Sequence, residues 1–133
     1  MITNKLKFMS VIGAVFLCLS ASASQKEDFK AAEKAASGVL TRTLGRKPSN
    51  VKLVVTGPME GSEYFSTEVK KGKLTVKGSS AVAVCRGFYD YVTSNHYGLS
   101  TWTVNNIDLP EKLADQPLKL VPTPFVLRQY MNV

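Results

Sequence analysis

Two short runs flank a lysine–glycine pair: Tyr64-Phe65-Ser66-Thr67-Glu68-Val69-Lys70, then Lys71-Gly72, then Lys73-Leu74-Thr75-Val76-Lys77. No other stretch of the chain limits the fold so tightly. A two-residue connection ending in glycine joins antiparallel strands, because a turn with positive φ matches the right-handed twist of the strands it links. The second arm alternates, with Leu74 and Val76 facing one way and Lys73, Thr75 and Lys77 the other. The sheet therefore has one buried face and one solvated face. A lone hairpin is marginal in water, so other elements have to cover the apolar side.

Two helical patterns can do so. Ser24 with Glu27 three residues later forms a capping box, and Ala32, Ala35, Ala36, Val39, Leu40 and Leu44 follow at three-to-four spacing. That alanine-rich face is predicted to lie close against the sheet. Gly45 ends the helix and Pro48 prevents its restart. Val51 to Thr56 is β-branched between Pro48 and Gly57-Pro58 and reads as a strand. After the hairpin, Gly78-Ser79-Ser80 caps a second helix. Its predicted buried stripe is Ala81, Cys85, Phe88 and Val92, with Val82 and Tyr89 beside it. Gly87 costs about 1 kcal/mol of helix propensity relative to Ala, which implies that something packs close there.

Asn95 and Gly98 stop the second helix, and Leu99 to Val104 reads as a further strand. Asn105-Asn106 then turns into a short return, Ile107-Asp108-Leu109. Residues 111 to 124 follow Pro110 and carry Pro117, Pro122 and Pro124, the composition of an extended connector. The predicted fold class is α+β. A small sheet of about four to five strands carries two helices on one face, in the order helix, strand, hairpin, helix, strand, followed by the connector.

The first residues belong to no fold. Lys5 and Lys7 precede an apolar run from Phe8 to Leu19, and Ala21-Ser22-Ala23 has the small-residue spacing of a cleavage site. The run is shorter than the ~20 residues a spanning helix needs. Residues 1–23 are therefore expected to be a signal peptide cleaved after Ala23, with export to the periplasm or outside the cell and no membrane contact afterwards. Of the 17 Lys and Arg, Lys5 and Lys7 leave with the signal, and fifteen against ten acids give a net +5. The charges are scattered, without a basic helix interleaved with aromatics, so nucleic acid is not an expected partner. Cys85 remains as the sole cysteine and reads as a small buried hydrophobe.

No constellation of catalytic or cofactor-binding residues emerges from spacing. One histidine, His96, and one mature cysteine do not make a usual zinc site, and the glycines sit singly at turns. Glu60, Glu63 and Glu68 read as surface charges, and Ser79-Ser80 as a cap. Trp102 and Tyr97 could stack on a sugar or pack in a core. No catalytic residue, metal or cofactor is assigned.

From Lys73 to Pro110 the chain resembles a known family. The run Leu74 to Ala83, then Arg86-Gly87-Phe88-Tyr89-Asp90-Tyr91-Val92, Ser100-Thr101-Trp102 and Leu109-Pro110, is similar to the N-terminal domain of α-N-acetylglucosaminidases, glycoside hydrolase family 89. Thr123-Pro124 followed by Arg128-Gln129-Tyr130-Met131-Asn132-Val133 resembles that family's passage into the first strand of a (β/α)₈ barrel. The resemblance implies a hydrolase acting on terminal α-linked N-acetylglucosamine with retention, using two barrel carboxylates about 5 Å apart. It assigns one substrate-binding position, Asn132, and it makes the barrel the partner through which glycan is met. The expected division is a signal peptide (1–23), an accessory domain (24–110), and a connector with the start of a barrel strand (111–133). The chain is then a fragment, inactive by itself. The competing reading is a stand-alone exported module that binds glycan or protein through Trp102 and its neighbours.

Overall fold

The computed structural model describes residues 25–123. The expected signal peptide (1–23), the expected Ser24 cap and the segment from Pro124 to Val133 lie outside them.

The first helix, α1, spans residues 25–44. It is followed by β1 (Val51–Val55), β2 (Tyr64–Lys70), β3 (Lys73–Gly78), a second helix α2 (Ala81–Ser94) and β4 (Gln116–Pro122). The strands form one mixed sheet in the order β1-β3-β2-β4. β3 pairs parallel with β1 and antiparallel with β2, and β4 pairs antiparallel with the far side of β2. The predicted hairpin is present. Lys71 and Gly72 have φ of 54° and 73°, the pair of positive values that a type I′ turn requires.

Both helices lie on one face. There Leu74 and Val76 of β3, wholly buried, join Val55, Val69, Ala36, Leu40, Val84 and Val92 in a single core. The opposite face carries the exposed Lys52, Lys73 and Lys77. Lys52 lies beside Thr75, and Lys73 beside Lys70, as the alternation of β3 demands.

α2 is capped as expected, with Ser80 Oγ accepting a hydrogen bond from the Ala83 amide at 3.2 Å. Its rotation differs from the prediction. The buried side is Val84, Gly87, Phe88, Tyr91 and Val92, whereas Cys85 is half-buried, Tyr89 is exposed and Val82 is 70% exposed. The reason is Gly87. A Cβ there would stand 2.9 Å from both Phe65 Cδ2 and Val76 Cγ1, so the helix makes its closest approach on the glycine side. A stripe centred on Cys85 would hold the backbones apart. α1 shows a related shift: Ala36 and Leu40 reach the core, while Ala35 and Val39 face outward.

Two further expectations change. Residues 99–104 are not a strand. They form a tight turn closed by an isolated bridge between Ser100 and Asn105, with Thr101 N–H donating to Val104 O at 2.7 Å and Val104 N–H donating to Thr101 Oγ1 at 3.1 Å. The threonine hydroxyl competes locally for the backbone, and β4 already takes the sheet position beside β2. The stretch after Pro110 is extended, but seven of its residues are β4. This edge strand is tied down by Gly72 N–H to Asp115 Oδ1 at 3.1 Å and by an ion pair between Lys119 and Asp90 at 2.7 Å. Pro117 and Pro122 are tolerated because one edge of the strand has no ladder to feed.

Gly87→Ala should destabilise the domain although alanine is the better helix former. Overpacking of this kind costs about 1–3 kcal/mol against a propensity gain of about 1 kcal/mol. The expected result is a net loss of about 1 kcal/mol, seen as a lower Tm of roughly 5 °C. An unchanged or raised Tm would contradict the close approach.

Candidate functional site

A cleft of about 340 Å³ lies between α1, α2 and the loop that follows α2. Its walls include Val39 and Thr43 from α1, Cys85 and Tyr89 from α2, and Ser100 and Ile107 from the following loop. The loop is held in place by Asn105 Nδ2 donating to Thr43 O at 2.6 Å, Asn106 N–H to Leu99 O at 3.1 Å, and Asp108 N–H to Tyr97 O at 2.8 Å. Gly98 makes this possible. Its φ is 122°, and a side chain there would collide with the backbone of Asn106 and Ile107. The same loop carries exposed Leu99 and Val104 and a fully exposed Trp102.

The residues considered for chemistry fall elsewhere or serve structure. Ser79 Oγ accepts from Tyr64 N–H at 3.3 Å, and Ser80 Oγ caps α2. Glu68 pairs with Lys70 at 2.7 Å on the solvated side of the hairpin. Glu60 occupies a turn position with φ of 49°. Cys85 and His96 are eleven residues apart, with the C-terminal end of α2 between them. Burial pushes the Cys85 thiol up, which keeps it protonated, whereas nucleophilic cysteines have a lowered pKa. No group of three or more His, Cys, Asp or Glu suited to a metal ion occurs among the described residues. Asn132 lies outside the described residues.

Tyr97 and Trp102 do not form one patch. Tyr97 packs on Tyr91, with ring centroids 6.0 Å apart and planes tilted by 51°, whereas Trp102 stands in solvent. The Tyr91 hydroxyl is buried without a hydrogen-bond partner. Burial first, and then the neighbouring Tyr97 phenol, push its pKa up to about 12. Because the hydroxyl has no bonded partner, the effect of Tyr97 is better read as one of proximity.

The fold and its surface define a small α+β domain with a lysine-bearing sheet face and a mostly apolar cleft on the helix side. The chain belongs to the alpha-N-acetylglucosaminidase (NAGLU) N-terminal domain family, whose sequence pattern matches residues 34–114. β4 lies just beyond that match. Solved structures that share the fold include two from one organism. One is the double variant of CpGH89 from Clostridium perfringens in complex with its substrate GlcNAc-α-1,4-galactose. It is 20% identical with a TM-score of 0.65, over 80% of this chain and 12% of that one. The other is a family 89 glycoside hydrolase from Clostridium perfringens in complex with 2-acetamido-1,2-dideoxynojirimycin, 18% identical with a TM-score of 0.57, over 78% and 13%. The chain thus spans about an eighth of the length of either protein. No curated protein matches it significantly.

Tyr91→Phe tests the buried hydroxyl. Removing an unpartnered polar group should leave stability at neutral pH unchanged or raised. The unfolded tyrosine has a pKa of about 10 and the folded one about 12. The native state therefore binds the extra proton, and this stability is present below pH 10 and lost as pH rises through 12. Thermal melts between pH 9 and 12 should fall more steeply for the parent than for Tyr91→Phe. Parallel curves would show that the phenol is solvated.

Proposed function

We propose that this chain is the non-catalytic N-terminal accessory domain of an exported alpha-N-acetylglucosaminidase, an enzyme that removes terminal α-linked N-acetylglucosamine from glycans. The observation that carries the reading is the family match over residues 34–114, which spans the second half of α1, β1 to β3, α2 and the loop to Ala114. The chemistry of such an enzyme requires two carboxylates about 5 Å apart for a retaining mechanism. We assign these to a (β/α)₈ barrel outside the domain, with glycan reached only through that barrel. The domain's contribution is to brace the barrel. Export rests on Lys5, Lys7, the apolar run and Ala21-Ser22-Ala23.

The fully exposed Trp102 supports a second reading, a stand-alone exported module that binds glycan or protein. One assay separates the two. The polypeptide encoded by the complete gene should release the aryl group from an aryl α-N-acetylglucosaminide, while residues 1–133 alone should show no turnover. Turnover by residues 1–133 would overturn the non-catalytic role, and a complete gene product without activity would favour the stand-alone module. Mass analysis of the exported protein should find Ser24 at its N-terminus. Retention of residues 1–23 would contradict cleavage after Ala23.

A further inference from the structure

We infer that the sheet face turned away from the helices is a peripheral docking surface for an anionic phospholipid bilayer. Lys52, Lys73 and Lys77 meet the lipid phosphates, and Leu118 and Leu120 enter the boundary between headgroups and acyl chains. The strand register gathers these residues. Directly opposed residues share one side of a sheet, and the pairs Val54↔Lys77, Lys77↔Ser66 and Ser66↔Leu120 set one row of side chains on that face. The next row runs Lys52, Thr75, Glu68. Lys73 and Lys77 stand about 13 Å apart along β3, and Lys52 lies beside Thr75 between them. At the β4 edge, Leu118 and Leu120 are 61% and 48% exposed. One plane is thus basic over β1 and β3 and apolar over β4.

Charge selects the sign of the partner. The three lysines are exposed, and among the described residues none of them forms an ion pair; the pairs found there are Lys70–Glu68 and Lys119–Asp90. Glu68 is the one acid among the described strand residues on this face, and Lys70 neutralises it. Each lysine beside an anionic leaflet is worth about fivefold in affinity. The leucines select a bilayer over a soluble polyanion, which gains nothing from them. Lasting attachment to a membrane takes two signals, and this face supplies a cationic and an apolar one. Lysine ammonium groups stay hydrated at headgroup level while their stems lie along the surface, so docking does not bury charge. The contact is peripheral, since no helix among the described residues is long and apolar enough to cross a membrane. This departs from the expectation of no membrane contact after export. The lysines are scattered in sequence, and only the pairing of strands puts them on one plane with the leucines of β4.

The test is cosedimentation of the polypeptide encoded by the complete gene, produced from Ser24 onward, with two kinds of vesicle. One is phosphatidylcholine alone, and the other carries about 30% phosphatidylglycerol. The expected result is binding to the anionic vesicles only, weakened at least tenfold between about 0.1 and about 0.5 M salt. K52Q/K73Q/K77Q should lose about a hundredfold in affinity and L118S/L120S about tenfold. All five positions are exposed, so both variants should keep the parent's Tm, and the salt series needs no variant. Equal binding to both vesicles, binding to neither, or anionic-vesicle binding that survives the lysine changes would overturn the assignment of the face. Lysine-dependent binding that ignores both leucines, with equal affinity for dextran sulfate, would give the face to a soluble polyanion and overturn the lipid partner. Hydrolase activity is read on the same sample. An inactive product that binds as expected would sink the accessory-domain reading and leave this inference standing, and an active product that does not bind would do the reverse.

Discussion

The contact on which the rest of the domain depends is the approach of α2 to the sheet at Gly87. With no Cβ at that position, Phe65 and Val76 come against the helix backbone, and the two central strands share one core with the helix. Leu74, Val76, Val84 and Val92 are wholly buried as a consequence. Burying side chains of this size is worth about 1.5–3 kcal/mol each, well above the ~1 kcal/mol that glycine costs the helix.

That seating also determines what the domain offers to a partner. A helix has one side for its sheet, and turning Gly87 toward β2 and β3 turns Val82, Cys85 and Tyr89 away. α1 follows, with Ala36 and Leu40 inward and Val39 outward. The cleft is therefore the geometric complement of the core packing. The loop after α2 closes it because Gly98 allows the chain to double back and Asn105 fastens it to α1. Packing and presented surface are set by the same glycine.

Elements defined by neighbours in sequence were legible before the structure. The Lys71-Gly72 turn, the alternation of β3, the β-branched run of β1 and the Ser80 cap each depend on residues a few positions apart. The α+β class follows from their order. What was not legible depends on distant partners. The sequence marks Gly87 as a point of close approach, but not that Phe65, 22 positions earlier, and Val76 are what it meets, and so the expected stripe centres on Cys85. β4 looked like a connector because prolines suit linkers, and only the open edge of β2 makes it a strand. Residues 99–104 have strand-forming side chains, but β4 takes the edge beside β2 and the Thr101 hydroxyl closes a local turn instead. The cleft was missed for the same reason, since its walls come from three separate segments. The family likeness was legible because its motifs, from Lys73 to Pro110, are local.

The central claim is that α2 and the β3–β2 pair form one cooperative unit from which the helix-face loop is hung. Native-state hydrogen exchange measured amide by amide tests it most directly. The amides of Leu74, Val76, Phe88 and Val92 should exchange slowest and with a common opening free energy, while the exposed amides at residues 102 and 103 should exchange fastest. An α2 whose amides exchange orders of magnitude faster than those of β3 would mean that the helix opens without the sheet. The seat at Gly87 would then not be what holds the domain together.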